Sequence, residues 1–143
     1  MRYISLLLLF TAISFSGFSQ TSDAILGQWV NSSGEAHIEI FKKGSQFFGK
    51  IVWLKEPKDE KGNPKLDVKN PAENLKSRPI LGLEMLKGFA YDNGKWVDGT
   101  IYDPKVGKTY SCNMSLKSNG DLNVRGYIGF SLIGRTDVWK RFK

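Results

Sequence analysis

The sequence predicts an all-β fold, a single antiparallel meander β-barrel of about eight strands. Three observations support this: apolar and polar residues alternate along most of the chain, turn residues interrupt the alternation at short intervals, and no stretch shows a convincing helical repeat of apolar residues. Sequential hairpins most readily close into a barrel, because closure removes the exposed strand edges. A seven-stranded sandwich is the structural alternative.

The clearest strand runs from Lys108 to Lys117, where Cys112, Met114 and Leu116 share one face and small polar residues occupy the other. Segment 45–54 is apolar on both faces, which suggests that a loop covers its outside. On it, Trp53 is predicted to share a face with Phe47 and Ile51. The predicted strands are 27–31, 35–42, 45–54, 83–91, 95–102, 109–117, 122–129 and 136–142.

Turn residues separate these strands. Asn93-Gly94 is the strongest signal, because a two-residue type I′ turn needs positive φ at both central positions. The other turns are predicted at Lys43-Gly44, at 103–107 and at Asn119-Gly120.

Segment 55–79 breaks the alternation, since it is long, polar and interrupted by four prolines. Asp67, Asn70 and Arg78 are among its polar members. Connections of this length in compact domains are usually functional or disordered. We predict that the segment forms an ordered lid or strap, in which the apolar residues Leu66, Val68 and Leu75 are buried.

Residues 1–19 have the pattern of a secretory signal: a positive start, an apolar stretch and the small residues Gly17 and Ser19 before the cleavage point. The apolar run is about a dozen residues, short of the ~20 that cross a bilayer, so an uncleaved anchor is the less favoured alternative. We therefore expect export, a mature chain of one domain over 20–143, no membrane span, and a periplasmic or extracellular location.

The chemistry of the sequence does not point to an enzyme. The net charge of +7 is spread among acidic residues, which favours a solvated surface over a nucleic-acid partner. His37 and Glu39 are interpreted as a solvent-facing pair rather than metal ligands, and the lone Cys112 as a small buried hydrophobe. No catalytic residue, metal site or cofactor is predicted. Nothing in the sequence pairs the carboxylates considered for hydrolysis, Asp67, Asp98 and Asp103.

Arg125 and Tyr127 are the most suggestive candidates for ligand binding. Residues two apart on a strand project from one face, so a guanidinium and a phenol could converge on one small anion. The pair is similar to the Arg-x-Tyr pair with which fatty-acid-binding proteins hold a lipid headgroup. The alternation argues against this role, because it places Leu122, Val124 and Ile128 on the inward face.

Four further residues are candidate ligand contacts. Tyr102 and Asp103 precede the turn that ends at Gly107, and the functional interpretation places them at the open rim beside the long loop. The simpler interpretation is turn formation, because aspartate and proline begin tight turns. Asp67 and Asn70 are the candidates from the loop itself.

The order of several short motifs resembles a known bacterial family, the secreted domain of unknown function 2147. The stretches that carry the resemblance are Gly27-Gln28-Trp29, Gly49-Lys50-Ile51-Val52, Asp67-Val68-Lys69-Asn70-Pro71, Gly99-Thr100-Ile101-Tyr102-Asp103-Pro104, Gly107-Lys108-Thr109-Tyr110, Arg125-Gly126-Tyr127-Ile128-Gly129, Gly134-Arg135-Thr136 and Trp139-Lys140-Arg141. The resemblance implies a lipocalin-like (calycin-like) barrel in the cell envelope and no established activity. It also implies that Trp29 plugs the closed end with Arg141 over its ring, and Trp139 is assigned to the same closure.

Three functions follow in order of preference. The first is an exported binding module for a small apolar or amphiphilic anionic ligand. The second is an interaction protein whose barrel is filled by its own aromatic residues and whose 55–79 loop faces an envelope protein partner. The third is a hydrolase with carboxylates at the rim. The volume of the barrel interior discriminates between the first two.

Overall fold

The computed structural model describes residues 21–130 and 132–143, so the predicted signal at 1–19 lies outside the described residues. Eight antiparallel strands form a closed barrel in sequence order, with β1 also paired to β8, and this confirms the predicted fold class. The strands are β1 Gly27–Val30, β2 Ala36–Lys43, β3 Gln46–Leu54, β4 Glu84–Asp92, β5 Lys95–Asp103, β6 Lys108–Leu116, β7 Leu122–Tyr127 and β8 Gly134–Arg141. Two short 3-10 helices, Ser22–Ile25 and Glu73–Leu75, complete the described secondary structure.

The last hairpin differs from the prediction. Strand β7 ends at Tyr127 and β8 begins at Gly134, so the predicted inward position of Ile128 was wrong: Ile128 lies past the strand and is exposed. The chain turns there because Gly129 adopts φ 67° and the Ile128 N–H donates to the Ile133 carbonyl. Strand β8 therefore starts two residues earlier than predicted.

A β-bulge also re-aims the end of β3. Ile38 pairs with Ile51 and His37 with Trp53, so one residue of β3 is left unpaired between them. A bulge of this kind reverses the side-chain alternation beyond it. Trp53 consequently faces outward, contrary to the prediction, and its ring lies 4.3 Å from that of His37. His37 also contacts Phe142, with ring centroids 4.4 Å apart, so it is packed on the outer wall rather than freely solvated.

The lower half of the barrel is a packed core. Trp96, Phe47, Phe89 and Leu86 are fully buried there, together with the Cys112 thiol. Gly99 makes room for the Phe89 ring, because a Cβ at this position would lie 2.5 Å from it. Burial raises the pKa of Cys112 to about 12, so the thiol stays protonated and unreactive.

The closed end is covered by the 3-10 helix Ser22–Ile25, which the alternation pattern did not predict. The Trp29 indole N–H donates to the Ile25 carbonyl at 2.9 Å, and that of Trp96 donates to the Ser22 carbonyl at 3.0 Å. Arg141 donates to the Ala24 and Leu26 carbonyls at 2.7 and 2.8 Å. Its guanidinium carbon lies 4.2 Å from the centre of the Trp29 ring. These three side chains hold the helix against the barrel.

Residues 55–83, which we call the strap, join β3 to β4 as an ordered segment. Two isolated β-bridges, Lys58 with Pro64 and Leu66 with Pro79, fold the strap on itself. The prediction that Leu66 and Val68 are buried was wrong, because both are exposed, and Leu75 is only partly buried. Between 55 and 79 the buried residues are Asp67 and Asn70, and the apolar residues of the strap that enter the core are Ile80 and Leu83, next to β4. The middle of the strap is therefore fastened by polar contacts.

Candidate functional site

The upper half of the barrel contains an open cavity of about 1370 Å³. It lies at the end formed by the β1–β2 turn, the strap, the β5–β6 turn and the β7–β8 loop. Small-molecule sites usually span about 300–1,000 Å³, so the space is sufficient for a ligand of lipid size. The barrel is thus packed with side chains toward its closed end and hollow toward its open end.

The deep wall of the cavity is apolar. Ile38, Ile51, Ile80 and Val124 are buried residues that line it, and they come from β2, β3, the strap and β7. Trp139 of β8 is 2% exposed and belongs to the same wall. A ligand that reaches this depth would meet aliphatic carbon and one indole ring.

Strand β8 adds two charged side chains to the same wall. Arg135 pairs with Gly126 and Asp137 with Val124, and both line the cavity. Asp137 accepts hydrogen bonds from the Trp139 indole N–H at 2.8 Å and from the Ser32 hydroxyl. Arg135, exposed at the mouth, has no hydrogen bond or ion pair with any residue that the structure describes. The guanidinium therefore retains its capacity to bind an anion.

The acidic groups of the cavity, in contrast, are already bound by internal donors. Glu35 pairs with Lys105, and the hydrogen bond and charge of that lysine hold the pKa of Glu35 below its ordinary value. The lining carboxylates with other donors are Glu56, which pairs with Lys65 at 3.7 Å, and Asp59 and Asp103, which accept backbone N–H groups of their own turns. The lining carboxylates are therefore already bound to donors, whereas the Arg135 guanidinium is available to bind an anion. A count of the formal charges around the cavity would not show this difference.

A buried carboxylate fastens the strap to the barrel. Asp67 is 0% exposed and accepts hydrogen bonds from the Tyr102 hydroxyl at 2.6 Å, the Asn70 amide at 2.9 Å and the Arg78 Nε at 2.8 Å. The Arg78 guanidinium also lies 5.4 Å from the centre of the Tyr102 ring. Tyr102 comes from β5, so this network links the strap directly to the barrel wall.

The network perturbs two pKa values. Burial raises the pKa of Asp67, but the hydrogen bonds from Tyr102, Asn70 and Arg78, together with the arginine charge, outweigh burial and leave it below the ordinary value. Burial raises the pKa of Tyr102, and the Asp67 carboxylate raises it further. Asp67 is thus held ionised and Tyr102 protonated, which is the pairing that the hydrogen bond between them requires.

A second contact holds the strap at the β5–β6 turn. Gly107 has φ +68°, and a Cβ at this position would overlap the carbonyl oxygen of Lys69. Only glycine allows the strap backbone to lie so close to the turn.

Gly107→Ala is therefore expected to destabilise the protein more than Gly120→Ala does. Gly120 has φ +90°, and no atom lies within 4 Å of the position that a Cβ would take, so its variant reports the backbone cost alone. The additional overlap with Lys69 should cost about 1–2 kcal/mol. Urea unfolding of both variants measures the difference, and equal losses would show that the strap is not held at Gly107.

The candidate ligand contacts from the sequence fall into three places. Tyr102 and Asp103 line the cavity, whereas Asp67 and Asn70 are buried in the strap network and are not part of its wall. Tyr127 borders the cavity at the end of β7, but its Cβ lies on the outer face, beside Gly134. Arg125 lies on the outer face, where its guanidinium donates to the Thr136 hydroxyl at 3.3 Å. The structure therefore does not bring Arg125 to the cavity. Of the carboxylates considered for hydrolysis, only Asp103 lines the cavity, and Asp98 is exposed elsewhere.

Arg135 is the residue that sequence reasoning missed. The signal was present, because Arg135, Asp137 and Trp139 are spaced two apart and so share a face of one strand, and Trp139 was already assigned to the closure of the barrel. Starting the last strand at 136 left Arg135 in the preceding loop. In the described ranges, no three His, Cys, Asp or Glu residues lie close enough to hold a metal ion. No described helix is long and apolar enough to span a membrane.

A closed eight-stranded meander, packed at one end and hollow at the other, is the architecture of a lipocalin-type barrel. Residues 27–141 match the family model described as "Uncharacterized protein conserved in bacteria (DUF2147)", and the chain belongs to this family. Its structure is similar to that of protein HP1028 from the human pathogen Helicobacter pylori, which is described as belonging to the lipocalin family. The two share 26% identity with a TM-score of 0.65, over 76% of this chain and 73% of that one. No curated protein matches the sequence.

Proposed function

We propose that this protein is an exported binding protein of the cell envelope, which holds an amphiphilic ligand with an apolar body and an anionic end. The observation that carries the proposal is the open cavity, whose deep wall is apolar and whose mouth presents the available guanidinium of Arg135. The signal-like pattern of residues 1–19 supports export. The similarity to a lipocalin-family protein supports binding of a small ligand.

The positions of the charged and apolar residues define an orientation for the ligand. Arg135 lies near the start of β8, at the mouth, and Trp139 lies four residues deeper along the same strand. The apolar body would pack against Trp139, Ile38 and Ile51, and the anionic end would remain at the mouth.

Arg135→Ala is expected to weaken binding of a long-chain fatty acid about 10- to 150-fold, because hydrogen bonds to a charged partner contribute about 1.5–3 kcal/mol. Arg135→Lys should restore only part of the affinity, since lysine cannot present the planar two-pronged donor. Titration followed by intrinsic tryptophan fluorescence is suitable, because Trp139 lies in the deep wall.

Arg125→Ala is the matched control, because it removes the same charge from the outer face of the neighbouring strand β7. It should bind the fatty acid as wild type does. Equal affinities for wild type and Arg135→Ala would remove Arg135 from the site. Absence of saturable binding by the wild-type protein, across fatty acids and other amphiphilic acids, would contradict the proposal itself and favour the interaction protein.

A further inference from the structure

The open end of the barrel is ringed by exposed apolar side chains, which we call the rim. They come from the strap, the β5–β6 turn and the β7–β8 loop, and they are Leu66, Val68, Val106, Ile128, Phe130, Leu132 and Ile133. Contiguous exposed apolar surface on a soluble domain usually marks an interaction site. We propose that the rim docks on the surface of an anionic lipid bilayer.

The β7–β8 loop holds the most exposed members of the rim in place. The Ile128 N–H donates to the Ile133 carbonyl at 3.0 Å, and the Ile133 N–H donates to the Phe130 carbonyl at 3.1 Å. These bonds close the base of the loop, so Phe130 and Leu132 project from its end with 83% and 90% of their surface exposed. Such exposure of two large apolar residues is unfavourable in water, and insertion among lipid acyl chains removes it.

Basic residues lie one or two positions after rim residues in the sequence. Lys69 follows Val68, Lys108 lies two residues after Val106, and Arg135 lies two residues after Ile133. None of these three cations forms an ion pair with a residue in the described ranges. Apolar side chains beside unpaired cations are the composition of segments that lie in the interface of anionic membranes.

The shape of the rim favours a bilayer over a protein. Its apolar residues stand on three separate segments around an opening of the barrel, rather than on one flat strand face. A protein surface would have to fill or bridge that opening to bury them all, whereas fluid lipid adapts to each projecting side chain separately. Arg135 belongs to both proposals, but Phe130 and Leu132 do not line the cavity, so docking can be tested at residues outside the proposed ligand site.

Vesicle co-sedimentation tests the inference on the protein without added ligand. Vesicles of equal parts phosphatidylglycerol and phosphatidylcholine should bind the wild-type protein, and pure phosphatidylcholine vesicles should bind it more weakly. The double variant Phe130→Ser with Leu132→Ser should bind the anionic vesicles at least about tenfold more weakly, because it removes two inserted apolar side chains. Binding should also weaken in about 1 M salt, where the screening length falls to about 3 Å.

Phe142→Ser is the matched control. Phe142 is also an exposed apolar residue, but its backbone N–H is bonded to Gln28 at the closed end, so this variant should bind vesicles as wild type does. Equal vesicle binding by the rim variant and the wild type would overturn the inference, as would failure of the wild type to bind anionic vesicles. A dimer that the rim variant dissociates, in sedimentation equilibrium without lipid, would assign the rim to a second copy of the chain instead.

Discussion

Replacing Trp29 with alanine is expected to lower the free energy of unfolding by about 3–5 kcal/mol, the usual cost of deleting a large buried aromatic residue. The Trp29 side chain is 0% exposed, and its indole joins the 3-10 helix Ser22–Ile25 to the base of β1. Removing it leaves a cavity at the closed end and takes away the ring on which the Arg141 guanidinium rests. For a domain with a total stability of about 5–15 kcal/mol, this is a severe loss.

Urea unfolding followed by circular dichroism measures this loss, with Trp53→Ala as the matched control. Trp53 is also a tryptophan of an early strand, but it is 43% exposed on the outer wall. Its variant should lose much less stability, because less apolar surface is withdrawn from water there. Equal unfolding midpoints for wild type and Trp29→Ala would show that Trp29 does not close the barrel.

The sequence predicts the strands of this barrel because their alternation is local. Residues such as Cys112 and Met114 face the core in the structure as their spacing indicates. Every strand was predicted, and most ends lie within one or two residues of the observed ones. Closure also follows from local information, since short connections between most consecutive strands leave few other arrangements.

The errors occur where local alternation is interrupted. A single unpaired residue in β3 turned Trp53 outward, and a bulge of this kind has no sequence signature in an otherwise apolar strand. Likewise, because of the turn at Gly129, β7 ends earlier and β8 begins earlier than predicted. The prediction of the ligand site was wrong for the same reason. With the last strand starting at 136, Arg135 was assigned to a loop and not to the barrel wall.

The strap illustrates a different limit. We expected Leu66 and Val68 to anchor it, because apolar residues are the usual anchors of a long segment. The anchor of this part of the strap is the Asp67 carboxylate, whose donors come from Asn70, Arg78 and the distant Tyr102. The sequence spacing of Asn70 and Arg78 from Asp67 indicates only weakly that they contact it. The contact of Tyr102 with Asp67 depends on the closed barrel. The displaced apolar side chains are consequently free to form part of the rim.

Asp67→Asn is expected to lower the free energy of unfolding by about 3 kcal/mol. Breaking a buried charge pair costs about 3–5 kcal/mol, and the lower end applies because the Arg78 side chain is 30% exposed and can be partly rehydrated. Asn70 and Arg78 both donate to Oδ2, so an asparagine NH₂ at that position would leave both without this acceptor, whereas the flipped amide would take the acceptor away from the Tyr102 hydroxyl. We expect the strap to loosen first, because the network joins it to the barrel. Faster hydrogen exchange at the Asp67 and Ile80 backbone amides would show this, since both bond within the strap.

The same network predicts how stability depends on pH. The pKa of Asp67 is lower in the folded protein than its ordinary value of 3.8, so its ionised form stabilises the fold above that value. This contribution should be lost as the pH falls through the lowered folded pKa, and the stability difference between wild type and Asp67→Asn should shrink over that interval.

The control is Glu73→Gln, which removes a carboxylate that is 86% exposed in a surface pair with Lys76, and which should cost no more than about 1 kcal/mol. Urea midpoints measured from neutral to acidic pH test both statements. A stability difference that stays constant to the lowest pH would mean that the Asp67 charge does not fasten the strap.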